Sequence, residues 1–402
     1  MIPTAVVTAA VEIDRLVNLA RTGGPRQTGK AWQELRKLAA SGVDLAAHLP
    51  PTADAGTDEI IVAELRLMCD VMAERADALR DTLARAPLPP TALSTLALMI
   101  PARRPALVPA LRPALLARLP ALELEPLAWA LRTVRAWLQV DPTVTADELA
   151  ALSALLGDDR KVKIAGKAYA IGDEAARALV PVAATDGGPA LAGTLAARLA
   201  DRNKRVREGA AYLIACTALA ATDAAALGAV LDHRDAAVRR GATAQIRTSV
   251  LSDAMLAAQH ERAAELLAWS AALPAPRARS GLAEGVADAL HPASPPAEVR
   301  AAASALAETD PSRRAEAGAI AGLAIDQVDC RWAAPFLATA LFDADAGVRR
   351  AAAGALAYVF DLTGASPVVR VTRRALEQAS AAETDAAVAE ALRAALTAAT
   401  RG

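Results

Sequence analysis

The sequence predicts an all-α protein, an α-solenoid of stacked antiparallel helix pairs. Its 402 residues include 108 alanines and only 3% aromatic residues. Ala is the best helix former, and the residues that favour strands are scarce, so we expect helices to dominate. A short helix-start pattern recurs along the C-terminal two-thirds of the chain, which indicates that the helices form repeated units.

Residues 1–150 are predicted to form an N-terminal helical segment that lacks this pattern. Residues 6–21 and 29–40 are amphipathic, and residues 57–86 read as one long capped helix. Eight prolines from residue 87 to residue 120 predict short, broken helices, and residues 127–140 predict another helix. We interpret this segment as divergent repeats or a capping bundle, followed by a repeat array over residues 151–402.

The repeated pattern is a capping residue, two further residues, Val, a basic residue and then an Ala-rich stretch. An Asp or Asn side chain at this point satisfies free N–H groups at a helix start. The Val then occupies the third helical position and faces the core, and a small residue three positions later lets helices approach closely. The predicted structural positions are Asp159, Val162, Val206, Asp235, Val238, Val299, Arg300, Asp345, Val348, Arg349, Asp385 and Val388.

The Val residues are separated by 44, 32, 61, 49 and 40 residues, which corresponds to units of two antiparallel helices. The gap of 61 has room for a degenerate unit whose second helix opens at residues 276–279 and runs to Leu290. Because a unit of this size cannot bury its own apolar face, it must stack on its neighbours.

Residues 345–360, DAGVRRAAAGALAYVF, and residues 235–246 resemble HEAT repeats, particularly the short bacterial, PBS-lyase-like type. The resemblance covers residues 151–402. It implies a superhelix whose concave face is formed by the second helices, those that begin at the capping residues.

Basic residues are concentrated in residues 158–250, where 14 Lys and Arg face 10 Asp and Glu. Stacking predicts a basic ladder that is able to bind phosphates or an acidic protein. In HEAT-like units, however, the Asp and Arg of the pattern commonly pair between neighbouring repeats, and this gives the same arginines a structural role. The ladder comprises Arg160, Lys161, Lys163, Lys204, Arg205, Arg207, Arg239 and Arg240.

No catalytic, metal or cofactor site is predicted. Residues 24–30 fit G-x-x-x-x-G-K, but Ala31 replaces the magnesium-binding hydroxyl and a helix precedes the motif. Only His260-Glu261 has the His-Glu form that HEAT-type hydroxylases use repeatedly. HEAT-like DNA glycosylases use Trp and acidic residues, but the sequence identifies no acid beside Trp269 or Trp332.

The net charge is −1, and the three cysteines have no CxxC spacing. Together with the absence of a signal-like N-terminus, this predicts a cytoplasmic protein with reduced thiols, and the Ala and Arg content suggests a bacterial source. We expect a non-enzymatic scaffold that binds a protein partner along the concave face, without cofactor or membrane contact. The alternative is a DNA- or RNA-binding HEAT-like protein, related to the glycosylases, that uses residues 158–250. Enzymatic activity is left open but is not favoured.

Overall fold

The computed structural model divides the chain into two compact units, residues 1–182 and 183–402. The predicted start of the repeat array, residue 151, therefore falls inside the first unit. The structure describes residues 4–22, 24–40, 43, 45, 67–68, 70–85, 88–252, 254–291, 295–321, 327–364 and 366–401.

Helices form most of the described part of the first unit. Much of the predicted helix at residues 57–86 lies outside the described residues, which resume continuously at residue 70. The helices are α1 (Thr4–Thr22), α2 (Pro25–Ala40), α3 (Ala76–Arg85), α4 (Pro90–Arg103), α5 (Val108–Arg118), α6 (Leu124–Leu138) and α7 (Ala146–Ala154).

The prolines of the first unit break the chain less than the sequence suggests. Pro90 begins α4, where its missing N–H costs nothing, whereas Pro101 and Pro113 lie inside helices. The buried Arg112 of α5 then binds Glu148, the third residue of α7, with Nε 2.9 Å from Oε1. The two helices are thereby joined by a buried ion pair.

A β-hairpin interrupts the helices at residues 161–170. Strands β1 (Lys161–Ile164) and β2 (Lys167–Ala170) are antiparallel, and Val162 pairs with Tyr169. The turn residues Ala165 and Gly166 both have positive φ, 50° and 80°, as tight hairpin turns require.

The prediction that Asp159 caps a helix carrying Val162 is therefore wrong. Val162 is buried, but in a strand, because Lys161 and Lys163 alternate with Val162 and Ile164 at the period of two that strands favour. The small residue expected to lie at a helix interface, Ala165, is instead an exposed turn residue.

The second unit is a stack of helix pairs, and the predicted fold class is confirmed there. Helices α10, α12 and α14 pack successively against one another, and so do α16, α18 and α20. The helices are α8 (Ile171–Ala183, starting in the first unit), α9 (Gly188–Ala196), α10 (Lys204–Ala221), α11 (Ala224–Leu231), α12 (Ala236–Leu251), α13 (Leu256–Trp269), α14 (Pro276–Leu290), α15 (Ala297–Ala305), α16 (Pro311–Ala321), α17 (Gln327–Ala340), α18 (Ala346–Thr363), α19 (Pro367–Ala382) and α20 (Ala386–Arg401).

The even-numbered helices from α10 onward, called the second helices below, begin much as the sequence predicts. The side chains of Asn203, Asp235 and Asp345 accept hydrogen bonds from backbone N–H groups of the first helical turn. Asp385 does the same for Ala387 and Val388. The pattern residues Val206, Val238, Val348 and Val388 of these helices are buried. Val299 is also buried, but it lies on α15, so the prediction that Val299 and Arg300 begin a second helix is wrong, and Pro296 before it provides no side-chain cap.

Stacking is not strictly sequential in the C-terminal half. Helix α13 packs against α19, and α14 packs against α17, so helices distant in sequence become neighbours. One apolar core runs from Ala283 to Ala399 and contains Phe336, Leu356 and Phe360. Among the described residues, no helix combines the length and apolarity needed to cross a membrane.

Candidate functional site

Arg207 joins two neighbouring repeats. Its Nε lies 3.2 Å from Oδ2 of Asp235, the capping residue of the next second helix. Its Nη1 donates to the carbonyls of Asp201 and Arg202 at 2.6 and 3.1 Å. The Asp–Arg pairing expected between neighbouring repeats is present at this interface.

The other predicted ladder arginines of the second unit are also bound within the protein. Arg239 Nη1 donates to the carbonyls of His233 and Arg234. Arg240 pairs with Glu208 at 2.8 Å, and Arg205 lies 3.9 Å from the same carboxylate. These contacts stabilise loops and helix interfaces, so most of the predicted ladder of this unit has a structural role.

The remaining ladder residues differ in their surroundings. Arg160 is held by Asp158, with Nη2 2.6 Å from Oδ2. Lys161 and Lys163 lie on exposed positions of β1, and Lys204 is exposed at the start of α10. Arg160, Lys161 and Lys163 belong to the first unit, whereas the other five belong to the second.

Five arginines of the second unit share one geometry with the loop before their helix. Each is the fourth residue of a second helix, and each Nη1 donates to the carbonyls six and five residues earlier, at 2.6–3.1 Å. Because a guanidinium has several donors in a fixed plane, one side chain holds two loop carbonyls. These loop-binding arginines are Arg207, Arg239, Arg279, Arg314 and Arg349.

The sequence pattern missed Arg279 and Arg314 because it was centred on Val. Position three of their helices is Ala278 and Arg313, so only the Arg at position four is common to all five. When these two residues are included, the spacings between successive loop-binding arginines are 32, 40, 35 and 35 residues. The gap of 61 residues that separates two of the pattern valines then disappears. The suggested degenerate unit opening at residue 276 is helix α14.

Arg300 is also the fourth residue of its helix, α15, but residues 292–294 before that helix lie outside the described part of the chain. Its guanidinium lies over the Trp332 ring, 5.7 Å from the centroid. Trp332 Nε1 is 3.3 Å from Asp288 Oδ1, an acid that the sequence did not place there. The indole is buried against Phe336, so it serves the core.

Arg349 makes a further contact with the following repeat. Its Nε and Nη2 donate to Glu383 at 2.7 and 3.0 Å. The pKa of Glu383 falls to about 2, mainly because Arg349 donates these hydrogen bonds to the carboxylate.

An exposed stripe runs along α18 on residues four apart, and it contains Arg350, Gly354, Tyr358 and Leu362. The Tyr358 and Leu362 side chains are large and apolar but 46% and 39% exposed. A Cβ added at Gly354 would meet nothing within 4 Å, so the helix surface is open beside Tyr358. Within the described residues, no ion pair is formed by Arg350.

The residues that metal or thiol chemistry would need are dispersed or buried. Cys216 is a buried free thiol whose pKa burial raises to about 11, and Cys330 is also buried. Burial, with nearby Arg331 and His260, lowers the pKa of His291 to about 4. No three His, Cys, Asp or Glu side chains of the described part of the chain group as metal ligands would.

Several predicted features can be placed only in part. Cys69 and His48 lie outside the described residues. The G-x-x-x-x-G-K match falls mainly within α2, which begins at Pro25, so its backbone is helical rather than a phosphate-binding loop.

No protein-family model and no curated protein matches this chain. Among solved structures, an engineered protein is similar at 18% identity and a TM-score of 0.27, over 97% of this chain and 99% of that one. Kap95p, from a study of its binding to RanGDP, is similar at 12% identity and a TM-score of 0.37, over 97% of this chain and 56% of that one. A chain from a study of tubulin recruitment by microtubule polymerases with TOG domain arrays is similar at 13% identity and a TM-score of 0.23, over 84% and 75%. The fold assignment therefore rests on the helix packing of this chain itself.

Proposed function

We propose that this chain is a non-enzymatic scaffold built of HEAT-like repeats of the short bacterial type. It binds a protein partner along the face formed by the second helices. The exposed stripe on α18 carries the proposal, because it presents Tyr358 and Leu362 one turn apart next to the open surface at Gly354.

The chemistry of this stripe favours a protein partner. Tyr and Arg are enriched at protein interfaces, where a rigid aromatic ring supplies contact area at low entropic cost. We infer that the partner places an apolar side chain against Tyr358 and Leu362 and a carboxylate near Arg350. The buried free thiol of Cys216 suits the reducing cytoplasm of a bacterium.

The experiment places a photo-crosslinking phenylalanine analogue at position 358 in cells that express the chain. The matched control places it at position 98, because Leu98 is 71% exposed and lies in the first unit. Mass spectrometry then identifies the adducts, and the captured protein is purified for binding measurements.

We expect an adduct at position 358 that is missing at position 98. The purified partner should bind a Tyr358→Ser/Leu362→Ser variant at least tenfold more weakly than the wild type, a loss of about 1.4 kcal/mol or more. A Leu98→Ser variant should bind like the wild type. Equal affinity for the wild type and the double variant would refute the proposal.

A further inference from the structure

The β-hairpin of residues 161–170 presents three lysines in a chain that has only six. Lys161 and Lys163 alternate with the buried Val162 and Ile164, so they lie on the outer face. The register pairs Lys167 with Ile164, so Lys167 is on the same face as the buried Val162 and Ile164 but is exposed beside the turn. The hairpin therefore presents two cations on its outer face and a third at its tip.

The hairpin is held in place by packing against the rest of the first unit. Strand β1 packs against α6, and the ring of Tyr169 lies beneath the Arg132 guanidinium, 4.7 Å from its Cζ. Where α8 begins, a Cβ at Gly172 would come within 2.6 Å of the Leu156 carbonyl oxygen, so this connection is tightly packed. A hairpin that packing already holds in one conformation loses little conformational entropy when it binds a ligand.

Two of the nearby acids, Asp158 and Glu174, are paired with arginines. Asp158 binds Arg160, and the buried Glu174 binds both Arg132 and Arg177. Over the described ranges, no ion pair involves Lys161, Lys163 or Lys167. Within the part of the chain that the structure describes, the arginines of this region thus form ion pairs, and the three lysines do not. This difference fits the two side chains, because Arg forms fixed planar contacts whereas Lys is a hydrated point charge on a flexible stem.

We propose that this hairpin binds double-stranded DNA, with its tip in the major groove and its lysines on the flanking phosphates. A strand of four residues is about 13 Å long. A two-stranded ribbon fits a major groove that is about 12 Å wide. The deep, narrow major groove of A-form RNA does not admit such a ribbon.

The test measures fluorescence anisotropy of a labelled 20-base-pair DNA duplex with the full chain across a salt series. The hairpin variant is Lys161→Gln/Lys163→Gln/Lys167→Gln. The matched control removes the other three lysines, Lys30→Gln/Lys37→Gln/Lys204→Gln, and so changes the net charge by the same amount. Circular dichroism verifies that both variants keep their helical content.

We expect the wild type to bind the duplex at low salt. The hairpin variant should bind at least tenfold more weakly, with a log–log salt slope shallower by about 0.9 for each lost phosphate contact. The control should keep the wild-type slope. Three results would overturn the proposal: no binding to DNA at low salt, equal losses in the two variants, or tighter binding to duplex RNA or to anionic lipid vesicles.

This proposal concerns the first unit and does not depend on the protein partner of α18. The hairpin variant should retain full affinity for that partner, and the Tyr358→Ser/Leu362→Ser variant should retain DNA binding. Failure of one proposal is thus distinguishable from failure of the other.

Discussion

Arg314 and Asp343 form a buried, bidentate ion pair between neighbouring repeats. Arg314 Nε lies 3.0 Å from Asp343 Oδ2, and Nη2 lies 2.9 Å from Oδ1. Arg279 donates to the same carboxylate at 2.9 Å, and all three side chains are at most 6% exposed. One carboxylate thus compensates two guanidiniums from different helices.

Replacing Asp343 with Asn should strongly destabilise the second unit, because it leaves two buried guanidiniums without a counter-charge. The expected loss is about 3–5 kcal/mol. Urea denaturation followed by circular dichroism measures it. Asp361→Asn, an exposed change on α18, is the matched control and should shift the midpoint very little. Similar midpoints for the two variants would show that the buried cluster contributes no net stability.

The ion pair between Arg349 and Glu383 should make stability depend on pH in the acid range. The pKa of Glu383 is about 2 in the folded chain, below its ordinary value of 4.5. Folding is therefore stabilised by this group above about pH 4.5, and the contribution is lost as the pH falls towards 2. Urea midpoints between pH 6 and 2.5 should show the wild type converging on Glu383→Gln. A constant difference across that range would contradict the assignment.

Two glycines should respond oppositely to substitution by Ala. A Cβ at Gly241 would lie 2.1 Å from the Glu208 carbonyl oxygen, so Gly241→Ala must push α12 away from α10. We expect a loss of about 1–3 kcal/mol in thermal or urea unfolding. Gly354→Ala has free space and gains helix propensity, so it should be neutral or stabilising by up to about 1 kcal/mol. A smaller loss at position 241 than at position 354 would show that the close approach is wrong.

The last second helix, α20, has Ala389 at position four, where the other second helices carry a loop-binding arginine. Ala389→Arg should donate to the carbonyls of Glu383 and Thr384 and stabilise the chain by about 1 kcal/mol. Differential scanning calorimetry measures the gain as a higher Tm. Ala394→Arg, exposed on the same helix, controls for the added charge. An equal rise in Tm for both variants would argue against a specific contact.

The features that were predicted correctly from the sequence depend on interactions between residues that are close together in the chain. Helix content, the caps at Asp235 and Asp345 and the burial of Val238 and Val348 follow from propensity and hydrogen-bonding capacity. The hairpin was missed because Val162 and its basic neighbour fit the helix-start pattern equally well. Only the alternation through Ile164 and the Ala165-Gly166 turn distinguishes the two structures.

The site could be predicted less completely, because its contacts join residues far apart in sequence. Asp343 meets Arg279 across 64 residues, since α14 packs on α17 rather than on the next helix along the chain. The exposure of Tyr358 likewise depends on which side of α18 is left uncovered. Neither relationship leaves a signal in a single sequence.

The short sequence separation between each loop-binding arginine and its carbonyl acceptors also affects how such an array gains or loses repeats during evolution. Each arginine is tied to carbonyls only five and six residues away, so duplicating or deleting a whole repeat carries the complete contact with it. Repeat length is then free to drift, as the spacings of 32 to 40 residues show. A chain assembled in this way tolerates modular recombination, and its surface residues are free to diversify from one copy of the repeat to the next.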